Sequence, residues 1–167
     1  HQSKAATFAI ACYYDPLYLR FWRPLVPNFT PDNKDFEIGK AIKMQDGDDV
    51  TIIATGHLVW EALEAIKELD KKGISADLLN IHTIKPLDQD SILKSVRKTG
   101  CVLTAEEHNY WGGLGESVAR ILVKNHPVPQ EFVATNDTFG ESGTPSELMN
   151  KYKINSNSIV SSVLRLL

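Results

Sequence analysis

Apolar positions from residue 41 onward follow two patterns that alternate along the chain. Short runs such as 50–54 are apolar and β-branched, which is typical of strands buried on both faces. Longer stretches between them carry apolar residues at helical spacing, and the clearest is 58–69, which has one apolar face. Strands that alternate with helices predict a mostly parallel sheet with helices on both sides.

The pattern predicts five strands and five helices in this region. The predicted strands are 41–45, 50–54, 76–81, 101–105 and 132–135, and the predicted helices are 58–69, 88–98, 114–125, one that begins at the Thr144-Pro-Ser-Glu147 capping box, and 155–167. The turn residues Asp46, Gly47 and Asp48 indicate that the first strand is antiparallel. We therefore expect an α/β domain with three α/β/α layers and a mixed, mostly parallel five-stranded sheet.

The first 30 residues follow a different plan. Residues 3–14 carry apolar groups at helical spacing, and the apolar and aromatic run 17–22 predicts a short strand covered on both sides. Pro24, Pro27 and Pro31 then space a polar run that is typical of an extended linker. We place a domain boundary near residue 30, so that 1–30 is the tail of a preceding domain plus linker and 31–167 is a second domain.

The beginning of the chain supports the same division. The chain starts at His1, not at a methionine, and the first residues already lie within the predicted helix 3–14. We therefore expect the natural protein to extend upstream.

Composition excludes several classes of function. Hydrophobic residues make up 43% of the chain and charged residues 23%, the balance of a globular domain. The net charge of −3 does not indicate the basic surface that binds a nucleic acid. The apolar runs have the length of strands, which is too short for a transmembrane helix. Cys12 and Cys101 lie among apolar residues, and we interpret them as reduced core thiols of a cytoplasmic protein.

Two candidate groups follow strands at the edge where open α/β sheets bind ligands. Thr55, Gly56 and His57 follow the strand 50–54, where a helix N-terminus can bind an anion. A tight strand-to-helix turn is the favoured interpretation, because the glycine pattern of a dinucleotide fold is absent. Arg23 follows the predicted strand 17–22 and suits either a bidentate phosphate contact or a salt bridge across the domain boundary.

Two further groups follow the strand 101–105. A Glu beside a His, as in Glu106, Glu107 and His108, can transfer protons, but adjacent strand residues point to opposite faces, so a structural or interface role is favoured. The glycine cluster in 112–115 permits close backbone approach. Because Glu116 already supplies negative charge there, packing of a helix against the sheet is favoured over phosphate binding.

Taken in order, several segments resemble the transketolase family of thiamine diphosphate enzymes. They are Pro16-Leu-Tyr-Leu-Arg-Phe-Trp-Arg-Pro24, Phe36-Glu-Ile-Gly-Lys-Ala41, Asp49-Val-Thr-Ile-Ile-Ala-Thr-Gly56, Thr83-Ile-Lys-Pro-Leu-Asp88, Glu106-Glu-His108, Gly112-Gly-Leu-Gly115 and Gly140-Glu-Ser-Gly-Thr-Pro-Ser-Glu147. The first resembles the end of the pyrimidine-binding domain, and the others resemble the C-terminal domain. The amino-acid sequences of 83–88 and 140–147 favour transketolase over deoxyxylulose-phosphate synthase and the beta chain of 2-oxoacid dehydrogenases.

The resemblance implies a division of labour. In this family one domain holds the diphosphate with Mg²⁺ or Ca²⁺, a second holds the aminopyrimidine and its activating glutamate, and the C-terminal domain makes few or no cofactor contacts. The family's diphosphate motif, a Gly-Asp-Gly run followed by Asn, is absent from the chain. The resemblance therefore implies that the chain alone binds no thiamine diphosphate or metal, contains no catalytic residue and is inactive.

The resemblance also implies partners and one site residue. Arg23 aligns with the arginine that contacts the sugar-phosphate group in transketolases. The expected partners are the N-terminal transketolase section or domains, a second copy in a homodimer, and sugar phosphates in the full enzyme.

Two other functions stay open. The domain is an assembly or docking module if the loops 106–113 and 137–144 form an interface, with Glu107, His108, Gly112 and Gly113 as the candidate contacts in the first loop. Alternatively, it is a small-ligand sensor that uses the edge formed by 55–57 and 112–115.

Overall fold

The computed structural model describes residues 1–22, 25–30 and 36–167. From residue 42 onward the chain forms one five-stranded sheet with helices on both faces. The strands are β1 (Ile42–Gln45), β2 (Val50–Ala54), β3 (Ala76–Asn80), β4 (Val102–Asn109) and β5 (Gln130–Thr135). The helices are α1 (Gln2–Ala11), α2 (Leu58–Asp70), α3 (Gln89–Thr99), α4 (Leu114–Asn125), α5 (Pro145–Lys151) and α6 (Ser156–Leu166).

The sheet has the strand order β1-β3-β2-β4-β5. Strands β3, β2, β4 and β5 are parallel to their neighbours, and β1 is antiparallel to β3. The predicted three-layer fold with an antiparallel first strand is therefore confirmed. The partner of β1 is β3 and not the next strand in sequence, so the turn at 46–49 joins strands that are not neighbours in the sheet.

The core lies in two layers, one on each side of the sheet. Alternation along β2 sends Ile52 toward α2 and α6 and sends Ile53 toward α3 and α4. Both side chains are fully buried. This double burial explains why the strands are continuous apolar runs in the sequence.

Local chemistry fixes the helix ends near the predicted positions. Asp88 caps α3 by accepting a hydrogen bond from the Ser91 amide, and Gly100 ends the helix in the left-handed conformation at φ 74°. The Thr144 capping box begins α5, with Glu147 bonded back to the Thr144 amide at 3.0 Å. These signals depend on residues within one helical turn, so the sequence alone predicts them.

The N-terminal segment differs from the prediction in two respects. Residues 17–22 form no strand, because the segment pairs with no neighbouring strand that would complete its hydrogen bonds. Cys12 is exposed and is not a core thiol, whereas Cys101 is buried as expected. Burial raises the pKa of the Cys101 thiol.

The helices of the described ranges are short, and α2, with 13 residues, is the longest. Across residues 1–22, 25–30 and 36–167, no helix has the length and apolar character needed to cross a bilayer.

Candidate functional site

The carboxyl ends of β2, β3 and β4 meet at one edge of the sheet, which is where open α/β folds bind ligands. His57 follows β2, Asn80 ends β3, and Glu106 and Glu107 lie in the last part of β4. Three of the candidate groups from the sequence, 55–57, 106–108 and 112–115, therefore come to this edge. Their burial and hydrogen bonds then show which of these groups have structural contacts and which are exposed to solvent.

Glu106 is a structural residue of this edge. Its side chain is almost fully buried, at 3% exposure, and it accepts hydrogen bonds from the amides of Leu114 (2.7 Å) and Gly115 (2.8 Å). Those amides form the N-terminus of α4, which is the end of a helix that attracts an anion. The chain's own carboxylate occupies this position, which leaves no place there for a phosphate.

Two glycines make this contact possible. A Cβ atom at Gly113 would lie 2.3 Å from Glu106 Oε2, and a Cβ atom at Gly115 would lie 2.4 Å from the Phe132 ring. The glycine cluster therefore lets α4 approach the sheet, which supports the packing interpretation. Gly112 differs, since it is exposed and a Cβ atom there would meet nothing within 4 Å. Its φ of 75° is the left-handed conformation that favours glycine.

Glu107 and His108 do not converge with Glu106. Glu107 is half-buried, and burial raises the pKa of its carboxyl group, while electrostatic interactions with Arg20 and His57 oppose the rise. His108 is exposed, with Nδ1 3.1 Å from the carbonyl oxygen of Asn109. The three side chains thus form no proton-transfer set, as the alternation of a strand predicts.

His57 has partners that the sequence analysis missed. His57 Nε2 lies 3.5 Å from Glu61 Oε1, and the Trp22 ring stacks on the imidazole with centroids 5.2 Å apart. The i,i+4 spacing of His57 and Glu61 on one helix was the available signal for the first contact. The Trp22 contact joins residues 35 positions apart, and no local pattern predicts it.

Glu61 connects this cluster to α6. Its second oxygen accepts a hydrogen bond from the Ser156 amide at 2.7 Å. The hydrogen bond from His57 is the main cause of a lowered pKa at Glu61, and the Ser156 amide adds to it against the opposing effect of burial. The carboxylate is therefore held in its charged form between two elements.

A cavity of about 390 Å³ lies beside this cluster. Its walls come from Trp22, Leu25, His57 and Glu61 and from the start of α5 and α6. Two ring nitrogens, His57 Nδ1 and Trp22 Nε1, are buried and have no hydrogen-bond partner among residues 1–22, 25–30 and 36–167. Arg23, the predicted phosphate ligand, lies outside the described residues.

A second polar cluster lies at the opposite, amino-terminal edge of the sheet. Asp77 on β3 is fully buried and contacts Lys43 Nζ at 3.0 Å and Lys98 Nζ at 3.2 Å, and it accepts a 2.8 Å hydrogen bond from Ser95. Asp46 joins the same lysines from the β1–β2 turn. The sequence analysis took Asp46 for turn chemistry alone, because nothing local marks its link to β3 and α3.

Comparison with known families decides what this domain is. The family model for the transketolase C-terminal domain matches residues 39–159. The chain belongs to this family. The boundaries of the match include the entire sheet and all helices except α1 and the end of α6.

Relatives of this C-terminal domain carry transketolase names. The chain is 42% identical over 159 residues to the 6-deoxy-6-sulfo-D-fructose transketolase subunit SqwH of Clostridium sp. (strain MSTE9), covering 95% of this chain and 49% of the relative. It is 35% identical over 164 residues to an apulose-4-phosphate transketolase subunit of Phocaeicola vulgatus, covering 98% of this chain and 52% of the relative. The chain therefore spans about half the length of these relatives.

A solved structure has the same fold. It is described as a split gene transketolase, inactive beta4 tetramer, and it superposes with a TM-score of 0.82 and 41% sequence identity over 85% of this chain and 46% of the other. The transketolase C-terminal domain fold is thus shown by sequence and by structure.

The family implies a thiamine diphosphate enzyme, and the described residues do not fit the diphosphate and its cation. Among residues 1–22, 25–30 and 36–167, no group of three or more His, Cys, Asp or Glu side chains comes together as a metal site. Glu106 fills the N-terminus of α4 at the ligand-binding edge. Asp46-Gly47-Asp48 lies at the other edge, where Asp46 pairs with lysines.

Proposed function

We propose that this chain is the C-terminal region of a transketolase, which in the assembled enzyme transfers a two-carbon ketol unit between sugar phosphates. The family match over 39–159 carries the proposal. The transketolase subunits to which it is similar are about twice as long. The rest of the enzyme would then supply thiamine diphosphate, Mg²⁺ or Ca²⁺ and the residues that bind them, in a cytoplasmic protein.

The proposal assigns residues 1–30 to the tail of the pyrimidine-binding domain and its linker, and 31–167 to the C-terminal domain. Exposed apolar side chains support this assignment. Eight large apolar side chains of the N-terminal segment are exposed to solvent, namely Phe8, Tyr13, Tyr14, Leu17, Tyr18, Phe21, Leu25 and Val26. So much exposed apolar surface on one short segment is typical of a surface that another domain covers.

In the assembled enzyme the role of this chain is to bind and orient substrate, and it contributes no cofactor ligand. Arg23 would hold the phosphate group of the sugar through a bidentate contact, which arginine makes better than lysine. The cofactor supplies the carbanion chemistry when it is bound to the other domains. The C-terminal domain supports the segment that carries Arg23.

Reconstitution tests the proposal. The chain is mixed with the polypeptide from the same genome that carries the diphosphate-binding domain and the rest of the pyrimidine-binding domain. Turnover of xylulose 5-phosphate with ribose 5-phosphate is then measured with Mg²⁺ and thiamine diphosphate. We expect turnover from the mixture and none from the chain alone. Turnover by the chain alone, or an inactive but correctly assembled mixture, would refute the proposal.

A variant tests the role of Arg23. Arg23→Ala should raise KM for phosphorylated sugars at least about tenfold, because a charge-assisted phosphate contact contributes about 1.5–3 kcal/mol. Arg120→Ala, an exposed arginine on α4, serves as the matched control. Equal KM values for the two variants would assign Arg23 to a salt bridge or to no role.

The second candidate function is assembly. The solved relative is described as a beta4 tetramer, so copies of that similar chain associate with one another. In this chain Trp111 and Phe139 are exposed, at 62% and 99%, on the loops that follow β4 and β5. We expect at least a homodimer, with Glu107, His108, Gly112 and Gly113 among its contacts.

Light scattering on Glu107→Ala and His108→Ala variants tests this candidate. Loss of the oligomer with a retained circular dichroism spectrum supports an interface at these residues. An unchanged molar mass would place the interface elsewhere.

A further inference from the structure

Two segments that the proposed function leaves without a role contact one another. Residues 36–41, called here the entry segment, lie directly before β1, and residues 82–88 lie in the loop between β3 and α3. The Phe36 ring packs against the His82 ring with centroids 4.2 Å apart and an interplanar angle of 34°. Both residues are partly buried, so the loop covers the point at which the chain enters the sheet.

Two backbone amides of the entry segment donate to side chains of the loop. The Gly39 amide lies 3.1 Å from Thr83 Oγ1, and the Ala41 amide lies 2.8 Å from Asp88 Oδ2. The packing is also close, because a Cβ atom at Gly39 would lie 3.0 Å from Pro86 Cγ. The loop therefore holds the entry segment by a ring contact, two hydrogen bonds and a close approach.

Hydrogen-bond chemistry assigns the protonation state of His82 in this arrangement. His82 Nδ1 lies 2.9 Å from Thr83 Oγ1, which also accepts the Gly39 amide. An amide can only donate, whereas the Thr83 hydroxyl has one proton of its own to give. All three groups are satisfied when that proton goes to His82 Nδ1, which requires a neutral imidazole with its hydrogen on Nε2. The three groups thus form a relay from Gly39 through Thr83 to His82.

Protonation of His82 would disrupt the last bond of this relay. Both ring nitrogens of a charged imidazolium are donors, so Nδ1 could no longer accept from Thr83. The charge would also form on a half-buried ring against Phe36, and burial lowers the pKa of His82 from 6.5. A lowered pKa means that the closed contact favours the neutral ring, and that proton uptake below about pH 6.5 favours the open one.

The charged groups around the ring do not offset this effect. Glu37, Lys40 and Lys43 line a cavity of about 290 Å³ beside His82. Lys43 is paired with a carboxylate of β3 at 3.0 Å, and Asp88 accepts from an amide of the entry segment. Glu37 and Lys40 carry opposite charges, and burial is the cause that shifts the pKa of His82.

We propose that the His82 ring is a pH-sensitive latch, which holds the entry segment against the domain while the ring is neutral and loosens the segment when the ring is protonated. Because the entry segment leads into β1, the latch controls how firmly the start of β1 is held. None of its groups belongs to residues 1–30, so the latch and the transketolase assignment are tested separately.

Titration of the 167-residue chain by NMR tests the relay. The imidazole nitrogens of His82 and the amide of Gly39 are followed from about pH 8 to about pH 5. We expect His82 to titrate below pH 6.5, with its hydrogen on Nε2 in the neutral form, and the Gly39 amide to shift with the same midpoint. A midpoint at or above 6.5, or a neutral ring with its hydrogen on Nδ1, would overturn the proposal.

Amide exchange tests the loosening, since the amides of Gly39 and Ala41 are hydrogen-bonded in the closed latch. Their protection factors, which correct for the intrinsic pH dependence of exchange, are compared at about pH 7.5 and about pH 5.5. In the wild type we expect both protection factors to fall at least about twofold at the lower pH. Equal protection at the two pH values would contradict the latch.

His82→Phe is the variant that isolates the proton. It keeps a ring against Phe36 but cannot be protonated, so its protection factors for Gly39 and Ala41 should be the same at both pH values. A fall as large as in the wild type would mean that another group titrates, and His82 would then not be the latch.

Thr83 provides a test that leaves the titrating ring in place. Thr83→Val removes the hydroxyl group and should lower the Gly39 protection factor at least about threefold at both pH values, whereas Thr83→Ser should stay within about twofold of wild type. Thr138→Val, at an exposed threonine after β5, is the matched control and should equal wild type. Unchanged Gly39 protection in a folded Thr83→Val protein would show that the relay does not hold the entry segment.

Discussion

Glu106 illustrates what single residues of this chain do and which of their roles a sequence can predict. The alternation of a strand separates Glu106 from Glu107, and a structural role followed from that alone. The hydrogen-bond partners of Glu106 could not be predicted in this way, because they are the backbone amides of Leu114 and Gly115, and residue type does not identify backbone partners. The His57–Trp22 stack was beyond prediction for a similar reason, since it depends on where a segment without strand or helix crosses the sheet.

Gly113 provides a prediction at this scale. In Gly113→Ala the new Cβ atom would lie 2.3 Å from Glu106 Oε2 and would displace a buried carboxylate from two amides. We expect the free energy of unfolding to fall by about 2–4 kcal/mol, measured by urea denaturation.

Gly140→Ala is the matched control for that variant. It adds the same methyl group at an exposed glycine with nothing within 4 Å. It should change the unfolding free energy by less than about 0.5 kcal/mol. Similar changes in the unfolding free energy of Gly113→Ala and Gly140→Ala would show that Glu106 is free to move and does not cap α4.

At the amino edge, the buried carboxylate of Asp77 joins several elements, and no sequence motif identifies it. Strand and helix positions followed from apolar periodicity because each element buries one or two faces in the core. The links between elements depend on long-range pairs, such as Asp77 of β3 with Lys43 of β1 and Lys98 of α3. The prediction of an antiparallel β1 was right, but its partner strand could not be deduced from the turn.

Asp77 should be among the most sensitive polar positions. Its side chain is fully buried between two lysines and Ser95. Asp77→Ala would remove the buried acceptor of Ser95 and of two partly exposed lysines that keep Asp46 as a partner, so we expect the free energy of unfolding to fall by about 1–3 kcal/mol in urea denaturation. Asp70→Ala, at the exposed end of α2, should cost less than about 0.5 kcal/mol. A small loss at both positions would contradict the buried pairing.

Asp88 gives a pH-dependent prediction. Burial acts to raise the pKa of Asp88, but hydrogen bonds from the Ala41 amide and from Ser91 outweigh it, and the net pKa is lowered from 3.8. A lowered pKa means that the carboxylate stabilises the fold above pH about 4 and that this contribution is lost as the pH falls through the lowered value.

The variant that tests this is Asp88→Asn. It should be less stable than wild type at pH 7 by about 1–2 kcal/mol, because an amide nitrogen cannot accept the hydrogen bond from Ala41. The difference should narrow in thermal denaturation at pH 3. Asp90 lies two residues further along the chain and is exposed, so the stability difference between Asp90→Asn and wild type should not narrow at pH 3. A stability difference between Asp88→Asn and wild type that stays constant from pH 7 to pH 3 would contradict a lowered pKa at Asp88.

At the scale of the whole molecule, the domain from residue 42 onward and the segment before residue 30 behave differently. The sheet and its helices bury two apolar layers and account for their own stability. The N-terminal segment exposes most of its apolar side chains, and the strand predicted for 17–22 is absent. Before residue 30 the predicted helix 3–14 forms as α1, whereas the predicted strand 17–22 does not form. A strand needs a neighbouring strand to pair with, and apolar periodicity alone does not supply that partner.

We propose as the central claim that this domain is a scaffold and that the rest of the enzyme binds the cofactor. Calorimetric titration of thiamine diphosphate with Mg²⁺ tests it most directly. The cofactor is titrated first into the chain alone and then into an equimolar mixture with the polypeptide that carries the diphosphate-binding domain and the rest of the pyrimidine-binding domain. We expect no heat of binding from the chain alone and saturable one-to-one binding from the mixture. Saturable one-to-one binding by the chain alone would contradict the account.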